Sequence, residues 1–493
     1  MNNAFHSLIQ HALDTHLIEP CDKCYTENLL IAKLGLFEVP EKADEKLGFT
    51  ESLKVLSNFA AKKGIIENTL GEKDIFETEL CGLLTPRPST VVEKFSSLYE
   101  ENPSRATDWF YKLCRDTNYI RCEDIAKNVM WDTKTDFGDI EITINLSKPE
   151  KDPRDIARAA QSAPANYPKC ALCIENEGYR GRANHPPRAN LRIIPLTLNG
   201  EEWGFQYSPY AYFEEHSILL HTCHRPMAIH RQAFANLLSF VEMFPDYFAG
   251  SNADLPIVGG SILSHEHYQC GHHTFPMMKA GVEIPLTFKG YEDVNASKVH
   301  WPMPTIRLKS ENIEKLLNLS EKILSCWREY TDEDAFVFAN TENTPHNTIT
   351  PIAWRDGNDF VLDLVLRNNI TTPEHPMGLY HPHADKHNIK KENIGLIEVM
   401  GMAILPARLK NECEEMEKVI LQNADPKDNE KTSLHAEWIK ANGLDRAKEN
   451  TADAIRRAIG KTFLNVLIDA AVYKPDENGN TAFMRFIDKV NSL

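Results

Sequence analysis

The sequence has neither a long apolar run nor an excess of basic residues, and both absences narrow its range of functions. No stretch of the 493 residues reaches the roughly 18 apolar residues of a membrane-spanning helix, and the N-terminus does not resemble a signal peptide. The formal net charge of −17 argues against a general polyanion binder. A pocket for one phosphorylated metabolite needs only a few cations and backbone N–H groups. We therefore expect a cytoplasmic protein with no membrane or nucleic-acid partner.

Cysteines are sparse and odd in number, eleven in all, and they are scattered along the chain. Without an export signal we expect reduced thiols rather than disulfide bonds. Two C-x-x-C pairs stand out, Cys21 with Cys24 and Cys170 with Cys173. In a reducing compartment such a pair indicates metal binding before disulfide formation. The first pair has no recognisable further ligands, and we interpret it as structurally neutral.

The hydrophobic period divides the chain into three regions and predicts an α+β protein. Residues 1–135 show apolar residues at three- and four-residue spacing, as helices do, and near residue 136 the period changes to the alternation of a strand. Strand-like runs, a hairpin signal at Asn199-Gly200 and a helix fill residues 136–295. A related order recurs in residues 296–493, which end in a charged helical tail. The last two regions are thus predicted to be α+β halves of similar layout.

Three further segments of the sequence are predicted to form strands. The segment SILSHEHYQ, residues 261–269, has the composition and alternation of a strand. The segment AFVFANT, residues 335–341, is also predicted to be a strand, followed by a turn that contains prolines. A further strand is expected in FVLDLVLRNN, residues 360–369.

The stretch SILSHEHYQCGHH, residues 261–273, holds four histidines in thirteen positions. On a strand His265, His267 and Gln269 point to one side, and Glu266 faces the other. Such a row can bind metal, transfer protons or attack an electrophile. A neutral imidazole can attack phosphorus if one ring nitrogen is free and an acceptor holds the N–H of the other. Gln269 could then donate to a phosphoryl oxygen as negative charge builds there.

Neighbouring residues favour a ligand site at this strand over purely structural histidines. The pair Gly259-Gly260 would let a ligand approach the backbone, and Asn252 and Ser261 are nearby donors. The plainer interpretation is that the histidines are polar strand residues bonded to neighbouring backbone. A second H-x-H, His381 and His383, follows a predicted strand, and we interpret it as structural or as a substrate contact.

The pair Cys170 and Cys173 needs two further ligands to bind tetrahedral zinc. Candidates on later strands are His224 and His265, although no local pattern establishes so long-range a quartet. Zinc held by four protein ligands would be structural and would stiffen the strand that presents His267. It would also remove His265 from the candidate nucleophiles.

Together, the segments CALC, HTCH, GGSILSHEHYQCG, TPHNTITP, YHPH and KENIGLIEVMGMAILPARL resemble the class II galactose-1-phosphate uridylyltransferases. The resemblance runs from about residue 10 to the C-terminus. It implies the histidine-triad superfamily, with two histidine-triad-like halves on mainly antiparallel sheets with flanking helices, after a helical N-terminal region. It also implies an exchange in galactose metabolism: UDP-glucose gives its uridylyl group to a histidine and releases glucose 1-phosphate, and galactose 1-phosphate leaves as UDP-galactose.

The residue roles implied by the resemblance follow from aligning HEHYQ with the His-Pro-His-x-Gln motif of class I relatives. His267 becomes the nucleophile, Gln269 the phosphate-binding group and His265 the leading metal ligand. Glu266 stands where class I has proline, and it adds a negative charge that points away from the phosphate if the strand alternates. The other ligands of a structural zinc would be Cys170, Cys173 and His224.

The substrate contacts implied by the resemblance are less sharply defined. Asn252 and Ser261 correspond to phosphate or ribose contacts, and Tyr210 in YSPY to a stacking surface for uridine. A cation near the diphosphate corresponds to Lys148 or Lys151, between which the sequence does not choose. A homodimer is compatible with the sequence, but no residue pattern defines its interface.

Two other functions fit the same residues. A histidine-triad nucleotide hydrolase or dinucleoside-polyphosphate phosphorylase would intercept the covalent histidine with water or phosphate. Many hydrolases of the superfamily carry a H-x-H-x-H-like run, so Gln269 in the third place favours transfer. A zinc-stapled binding or regulatory protein would use the same histidines only structurally.

Overall fold

The computed structural model describes residues 1–41, 45–147, 165–260, 262–444 and 450–493. Lys148, Lys151 and Ser261, which the sequence suggests as substrate contacts, lie outside these ranges. The chain forms two compact units. Unit 1 consists of Met1–Ala126, Ser147–Ala211 and Glu215–Arg225, and unit 2 of Lys127–Leu146, Tyr212–Glu214 and Pro226–Leu493. The region boundaries predicted near residues 135 and 295 stay predictions.

The N-terminal part of unit 1 is helical, as the hydrophobic period predicts. Its helices are Asn2–Asp14, Lys23–Lys33, Phe49–Lys62, Leu70–Leu84, Pro88–Glu101, Pro103–Asp116 and Cys122–Ile125. Each boundary has a local cause. Before the helix Pro103–Asp116, for example, the side chain of Asn102 accepts from the N–H of Ser104, and the proline occupies the first turn, where no N–H is needed.

The described residues contain fifteen strands. They are β1 (Val129–Thr135), β2 (Gly138–Ile144), β3 (Ile194–Leu198), β4 (Glu201–Tyr207), β5 (Ser217–His221), β6 (Phe248–Gly250), β7 (His267–Gly271), β8 (Val282–Leu286), β9 (Asn295–Val299), β10 (Thr305–Ser310), β11 (Asn340–Thr341), β12 (Thr344–Pro345), β13 (Asn347–Asp356), β14 (Asp359–Asn368) and β15 (Met402–Leu405).

In unit 1, β3, β4 and β5 are antiparallel neighbours. Asn199 and Gly200 connect β3 to β4 with φ values of 48° and 82°, which is the geometry of a two-residue type I′ hairpin, so that prediction is confirmed. The helical region packs on β4. The Phe110 ring lies 5.3 Å from the Tyr207 ring, and the Tyr207 hydroxyl donates to the Thr107 carbonyl oxygen at 3.1 Å.

In unit 2, seven strands follow one another in the order β7-β6-β13-β14-β10-β9-β8, and every neighbouring pair is antiparallel. A smaller sheet has the order β1-β2-β15, in which β15 runs parallel to β2. Helices Arg231–Met243 and Ile313–Glu329 pack on the seven strands. The remaining helices are Pro276–Lys279, Leu396–Val399, Arg408–Leu421, Ala436–Ala441, Thr451–Ala470 and Glu477–Ser492. The predicted class, α+β with mainly antiparallel sheets, is therefore confirmed.

Several local predictions differ from the structure. Strand β1 lies inside the region predicted to be helical. AFVFANT is not a strand over most of its length, because the side chain of Asp332 accepts from Ala335 N–H and closes a 3₁₀ turn, after which Phe336 adopts a left-handed conformation at φ 55°. Most of the segment expected to form a turn with prolines is instead strand β13. Pro351 lies within this strand and contributes only its carbonyl oxygen, which accepts from Ser251 N–H at 3.0 Å.

Helix length and polarity bear on membrane association. In the part of the chain that the structure describes, no helix combines the length and apolar character needed to cross a membrane. The helices of the charged tail instead bury single apolar faces, as in Arg408–Leu421, where Leu409, Met416 and Ile420 are buried.

One close packing contact generates a stability prediction. Gly460 in the helix Thr451–Ala470 lies directly against the side chain of Thr133 on β1, so an added Cβ would clash with it. Gly460→Ala is expected to lower the melting temperature by roughly 2–5 °C, because overpacking outweighs the gain in helix propensity. Gly281→Ala, where a Cβ meets no atom within 4 Å, is the control and should leave the thermal unfolding curve in place. Equal curves for both variants would contradict this packing.

Candidate active site and metal centre

Three of the four residues predicted to bind metal come together within unit 1. Cys170, Cys173 and His224 each offer one ligand atom, and these atoms lie within 4.8 Å of one another. The fourth, His265, belongs to unit 2 and stays a predicted ligand. The two sulfurs are 3.5 Å apart, and Cys173 Sγ is 3.2 Å from His224 Nδ1. Ligands of a tetrahedral ion with bonds of about 2.0–2.3 Å lie roughly 3.3–3.8 Å apart. The donor set and its spacing therefore fit a tetrahedral metal ion.

A buried asparagine that the sequence analysis missed shapes the cysteine turn. Nδ2 of Asn176 donates to the carbonyl oxygens of Cys170 and Cys173, both at 2.8 Å, and His185 Nε2 lies 2.6 Å from Asn176 Oδ1. Burial lowers the pKa of His185 to about 4, so its neutral ring donates from Nε2 to that oxygen. The sequence signal for this role was an asparagine three residues after the second cysteine. Its two hydrogen bonds fix the backbone from which both sulfurs project.

The protein surroundings alone do not favour a charged thiolate at this centre. Burial raises the pKa of the Cys170 thiol to about 11. Leu172 N–H lies 3.4 Å from the same sulfur, a weak contact that favours negative charge there. A metal ion would displace the thiol proton, since thiolates rather than thiols are the ligands.

His267 has the arrangement that a nucleophilic imidazole requires. It begins strand β7, and its Nδ1 lies 2.8 Å from the backbone carbonyl oxygen of His265. A carbonyl oxygen can only accept, so Nδ1 carries the proton and Nε2 is the basic nitrogen. Burial lowers the pKa of His267, a residue only 7% exposed, and keeps its ring neutral near pH 7.

The strand that presents this ring is shorter than predicted. Strand β7 starts at His267, so His265 precedes it and the orientation of the His265 ring does not follow from strand alternation. Gln269 lies two residues further along β7, in phase with His267, and is half-buried opposite Gly250 of β6. A Cβ on Gly250 would lie 2.8 Å from Leu396 Cδ1, which explains the glycine there.

The glycines before the motif have a different role from the predicted one. A Cβ on Gly259 would lie 2.6 Å from the carbonyl oxygens of Ala253 and Leu255, so the loop's own backbone, rather than a ligand, needs this glycine. A Cβ on Gly260 would lie 2.8 Å from Asn252 Nδ2. The Asn252 Oδ1 atom accepts from Leu396 N–H at 2.9 Å. The Oδ1 atom is thus engaged with the protein, and Nδ2 is the atom of the Asn252 amide that could donate to a ligand.

Tyr210 occupies a turn of unit 1 and is half-buried. Burial raises the pKa of its hydroxyl, so the ring stays neutral. The preceding residue anchors the turn, because the carbonyl oxygen of Pro209 accepts from Arg121 N–H at 3.0 Å. The Arg121 guanidinium also donates to Asp74 at 2.8 Å. A stacking role for Tyr210 is compatible with this setting and stays a prediction.

The second H-x-H pair bonds to fixed protein groups within unit 2. His381 Nε2 lies 3.1 Å from Asn393 Oδ1, and burial lowers the pKa of its ring. His383 donates its backbone N–H to Asp469 at 3.0 Å, and its Nε2 lies 3.1 Å from the Leu379 carbonyl oxygen. These contacts favour the structural interpretation of the pair.

Comparison with known proteins places the whole chain in one family. Two family models match it: Galactose-1-phosphate uridyl transferase, N-terminal domain, at residues 25–226, and the corresponding C-terminal domain at residues 240–440. The crystal structure of yeast Ap4A phosphorylase Apa2 covers 64% of this chain and 92% of its own, at 14% identity and a TM-score of 0.31, which is too low to support an inference.

Curated relatives match over nearly their entire length. The galactose-1-phosphate uridylyltransferase of Clostridium acetobutylicum is 48% identical, with 99% of each chain covered. That of Fusobacterium nucleatum is also 48% identical, with 98% of this chain and 97% of the relative covered. That of Streptococcus salivarius is 47% identical over 99% and 98%. Matches of this identity and coverage establish that the chain belongs to the galactose-1-phosphate uridylyltransferase family.

Proposed function

We propose that the protein exchanges UMP between UDP-glucose and galactose 1-phosphate through a uridylyl group carried on His267. The observation that supports this most directly is the 2.8 Å contact between His267 Nδ1 and the His265 carbonyl oxygen. It leaves Nε2 of a buried, neutral imidazole as the reacting atom. The printed name of the curated relatives, galactose-1-phosphate uridylyltransferase, supports uridylyl transfer that involves galactose 1-phosphate.

The proposed reaction consists of two displacements at one phosphorus atom. His267 Nε2 attacks the α-phosphorus of UDP-glucose, an N–P bond forms, and the P–O bond to the leaving glucose 1-phosphate breaks. A phosphate oxygen of galactose 1-phosphate then attacks the same phosphorus, and the N–P bond breaks to give UDP-galactose. Nδ1 keeps its proton throughout, and its hydrogen bond to the His265 carbonyl strengthens as the ring gains positive charge.

Gln269 is the proposed partner of the transferring phosphoryl group. Its place on β7, two residues after His267, puts both residues on the same side of the strand. A side-chain amide that donates to a nonbridging oxygen stabilises the charge that builds there in each displacement. Asn252 Nδ2, Tyr210, Ser261 and one of Lys148 and Lys151 remain the proposed contacts to the nucleotide and its phosphates.

We infer that Cys170, Cys173 and His224, with His265 as the fourth ligand, hold a structural zinc ion. Zinc prefers sulfur and imidazole ligands in a tetrahedral arrangement, and four protein ligands leave no position open for water. The ion would supply rigidity rather than reactivity. Because His265 would bind it through the ring, the residue whose carbonyl oxygen holds His267 would be fixed in place.

Removing the imidazole tests the nucleophile directly. His267→Gly is expected to lower the rate of uridylyl transfer at least about a thousandfold, because no other group replaces the covalent step. Added imidazole should restore part of the activity by carrying the uridylyl group in the vacated space. Rates are measured as UDP-galactose formation, with zinc content and thermal unfolding as controls for folding. Full activity in His267→Ala would overturn the assignment.

Trapping the intermediate separates transfer from the rival reactions. Protein incubated with UDP-glucose labelled at the α-phosphate should release glucose 1-phosphate in a burst and retain the label on the peptide that contains His267. Gln269→Ala should form the same adduct roughly a hundredfold more slowly. Release of UMP in place of a stable adduct would indicate a hydrolase, and UDP formation that requires inorganic phosphate would indicate a phosphorylase.

Metal analysis tests the zinc proposal with a matched pair of cysteines. The purified protein is expected to contain about one zinc ion per chain, and Cys170→Ser should reduce this content and lower the melting temperature. Cys21→Ser is the control, because Cys21 is exposed, belongs to the other C-x-x-C pair and lies outside the cluster. A fully active protein without bound metal would rule out the structural zinc.

A further inference from the structure

Residues 252–260 form a loop between strand β6 and the histidine motif, named here the Asn252 loop. Ala253 and Gly259 form an isolated parallel bridge near its two ends. A Cβ on Gly260 would lie 2.8 Å from Asn252 Nδ2, so the end of the loop returns to the side chain at its start. The position of the Asn252 amide therefore depends on the conformation of the whole loop.

Hydrogen bonds to three separate parts of unit 2 hold the outer half of the Asn252 loop. The Asp254 carboxylate accepts from the Thr348 hydroxyl at 2.5 Å and from Ile229 N–H at 2.9 Å. The Pro256 carbonyl oxygen accepts from Asn369 Nδ2 at 3.2 Å. These bonds impose the path of the backbone on both sides of the residue pair Asp254 and Pro256.

Ile257, the next residue, adopts a backbone conformation that β-branched residues rarely tolerate. Its φ is 73°, in the left-handed region, where the Cβ of an L-residue crowds the backbone. Glycine adopts the same conformation without this crowding. Such strain persists only where the surrounding structure imposes it, and it is concentrated at active sites and ligand-binding segments. The presence of an isoleucine side chain here therefore calls for a physical reason.

The Ile257 side chain packs against a position where only glycine fits. A Cβ on Gly378 would lie 2.8 Å from Ile257 Cγ2 and 3.1 Å from His381 Cβ. The φ of Gly378 is 122°, which also requires glycine. Ile257 Cγ2 thus occupies the space that Gly378 leaves beside the second H-x-H pair, and this contact accounts for a side chain that strains its own backbone.

The same neighbours are connected to Asn252 by a second route. His381 Nε2 lies 3.1 Å from Asn393 Oδ1. Three residues after Asn393, Leu396 N–H donates to Asn252 Oδ1 at 2.9 Å. Contacts through Ile257 and through Leu396 therefore fix the Asn252 loop against segments that the second H-x-H pair also contacts.

We propose that Ile257 is a positioning residue that acts through Asn252. Its side chain, packed against Gly378, holds the Asn252 loop in a strained conformation that presents the amide to the nucleotide or its phosphates. This inference rests on the proposed function, in which Asn252 Nδ2 is one of those contacts. Preorganisation of this kind lowers the cost of ordering the site when the donor binds. The second H-x-H pair gains a role as well, because His381 borders the space that receives Ile257.

The test compares two shorter side chains at position 257. Ile257→Gly removes the side chain together with its strain, and it is expected to lower kcat/KM for UDP-glucose roughly fivefold through a higher KM, as loss of one neutral hydrogen bond would. Ile257→Val keeps the Cγ2 methyl group and should remain close to the wild type. UDP-galactose formation is measured with UDP-glucose varied, and thermal unfolding establishes that each variant is folded. Ile257→Ala, which also lacks Cγ2, takes the place of Ile257→Gly if that variant does not fold.

A double-mutant cycle determines whether Ile257 acts through Asn252. Asn252→Ala alone is expected to lower the same kcat/KM. Adding Ile257→Gly to Asn252→Ala should cause no further loss, because the amide that the loop positions is already absent. A second fivefold loss in the double variant would show that Ile257 acts independently of Asn252 and would contradict the proposal.

His16→Gly is the matched control for the change to glycine at a left-handed position. His16 is exposed, has a φ of 57° and belongs to unit 1, whereas the Asn252 loop belongs to unit 2. His16→Gly also removes a Cβ from a left-handed residue and should leave kcat/KM for UDP-glucose unchanged. An equal loss in this variant would mean that added glycine flexibility, and not the Ile257 contact, is responsible.

The outcomes distinguish this inference from the function on which it rests. A wild-type protein that forms no adduct with labelled UDP-glucose would overturn the proposed function itself. An adduct in the wild type, with the same KM for UDP-glucose in folded Ile257→Gly, would overturn only the role of Ile257. A purely structural role would lower the melting temperature of Ile257→Gly and leave that KM as it is.

Discussion

The hydrogen bond between His267 Nδ1 and the carbonyl oxygen of His265 is the interaction on which the candidate site depends. It spans only two residues, so the local backbone sets the tautomer without help from a remote side chain. In the proposed function, the residue that supplies the carbonyl is also a zinc ligand. A ligand role for the His265 ring would therefore hold the backbone that fixes the tautomer of His267.

The parts of the fold that the sequence predicts correctly depend on local patterns. The helical period at the N-terminus, the Asn199-Gly200 hairpin and the in-phase pair His267 and Gln269 require only neighbouring residues. The metal quartet was a candidate because few residue types ligate zinc, and only the structure brings His224 to the cysteine pair, about fifty residues earlier in the sequence. The role of Asn176 could not be predicted, because a single buried amide does not produce a periodic pattern in the sequence.

The failed predictions have tertiary causes. Pro351 can lie within β13 because its position does not require a backbone N–H to complete the pairing between strands. From the sequence alone, a proline indicates a turn. AFVFANT has strand composition, but a single side-chain acceptor, Asp332, turns the chain before a strand can form. His265 lies before β7 because Ser264 and His265 form a bend, and the strand begins only at His267.

The two segments that most resemble the family meet within unit 2. Asn252 precedes the loop that leads to the histidines, and its Oδ1 accepts from Leu396 N–H in the IGLIEVMG segment. The same helix start is closed by Glu398, which accepts from Gly395 N–H at 3.0 Å. Gly250 leaves space for Leu396 directly opposite Gln269, so the second segment packs beside the strand that carries His267. These contacts bring the two segments side by side next to His267.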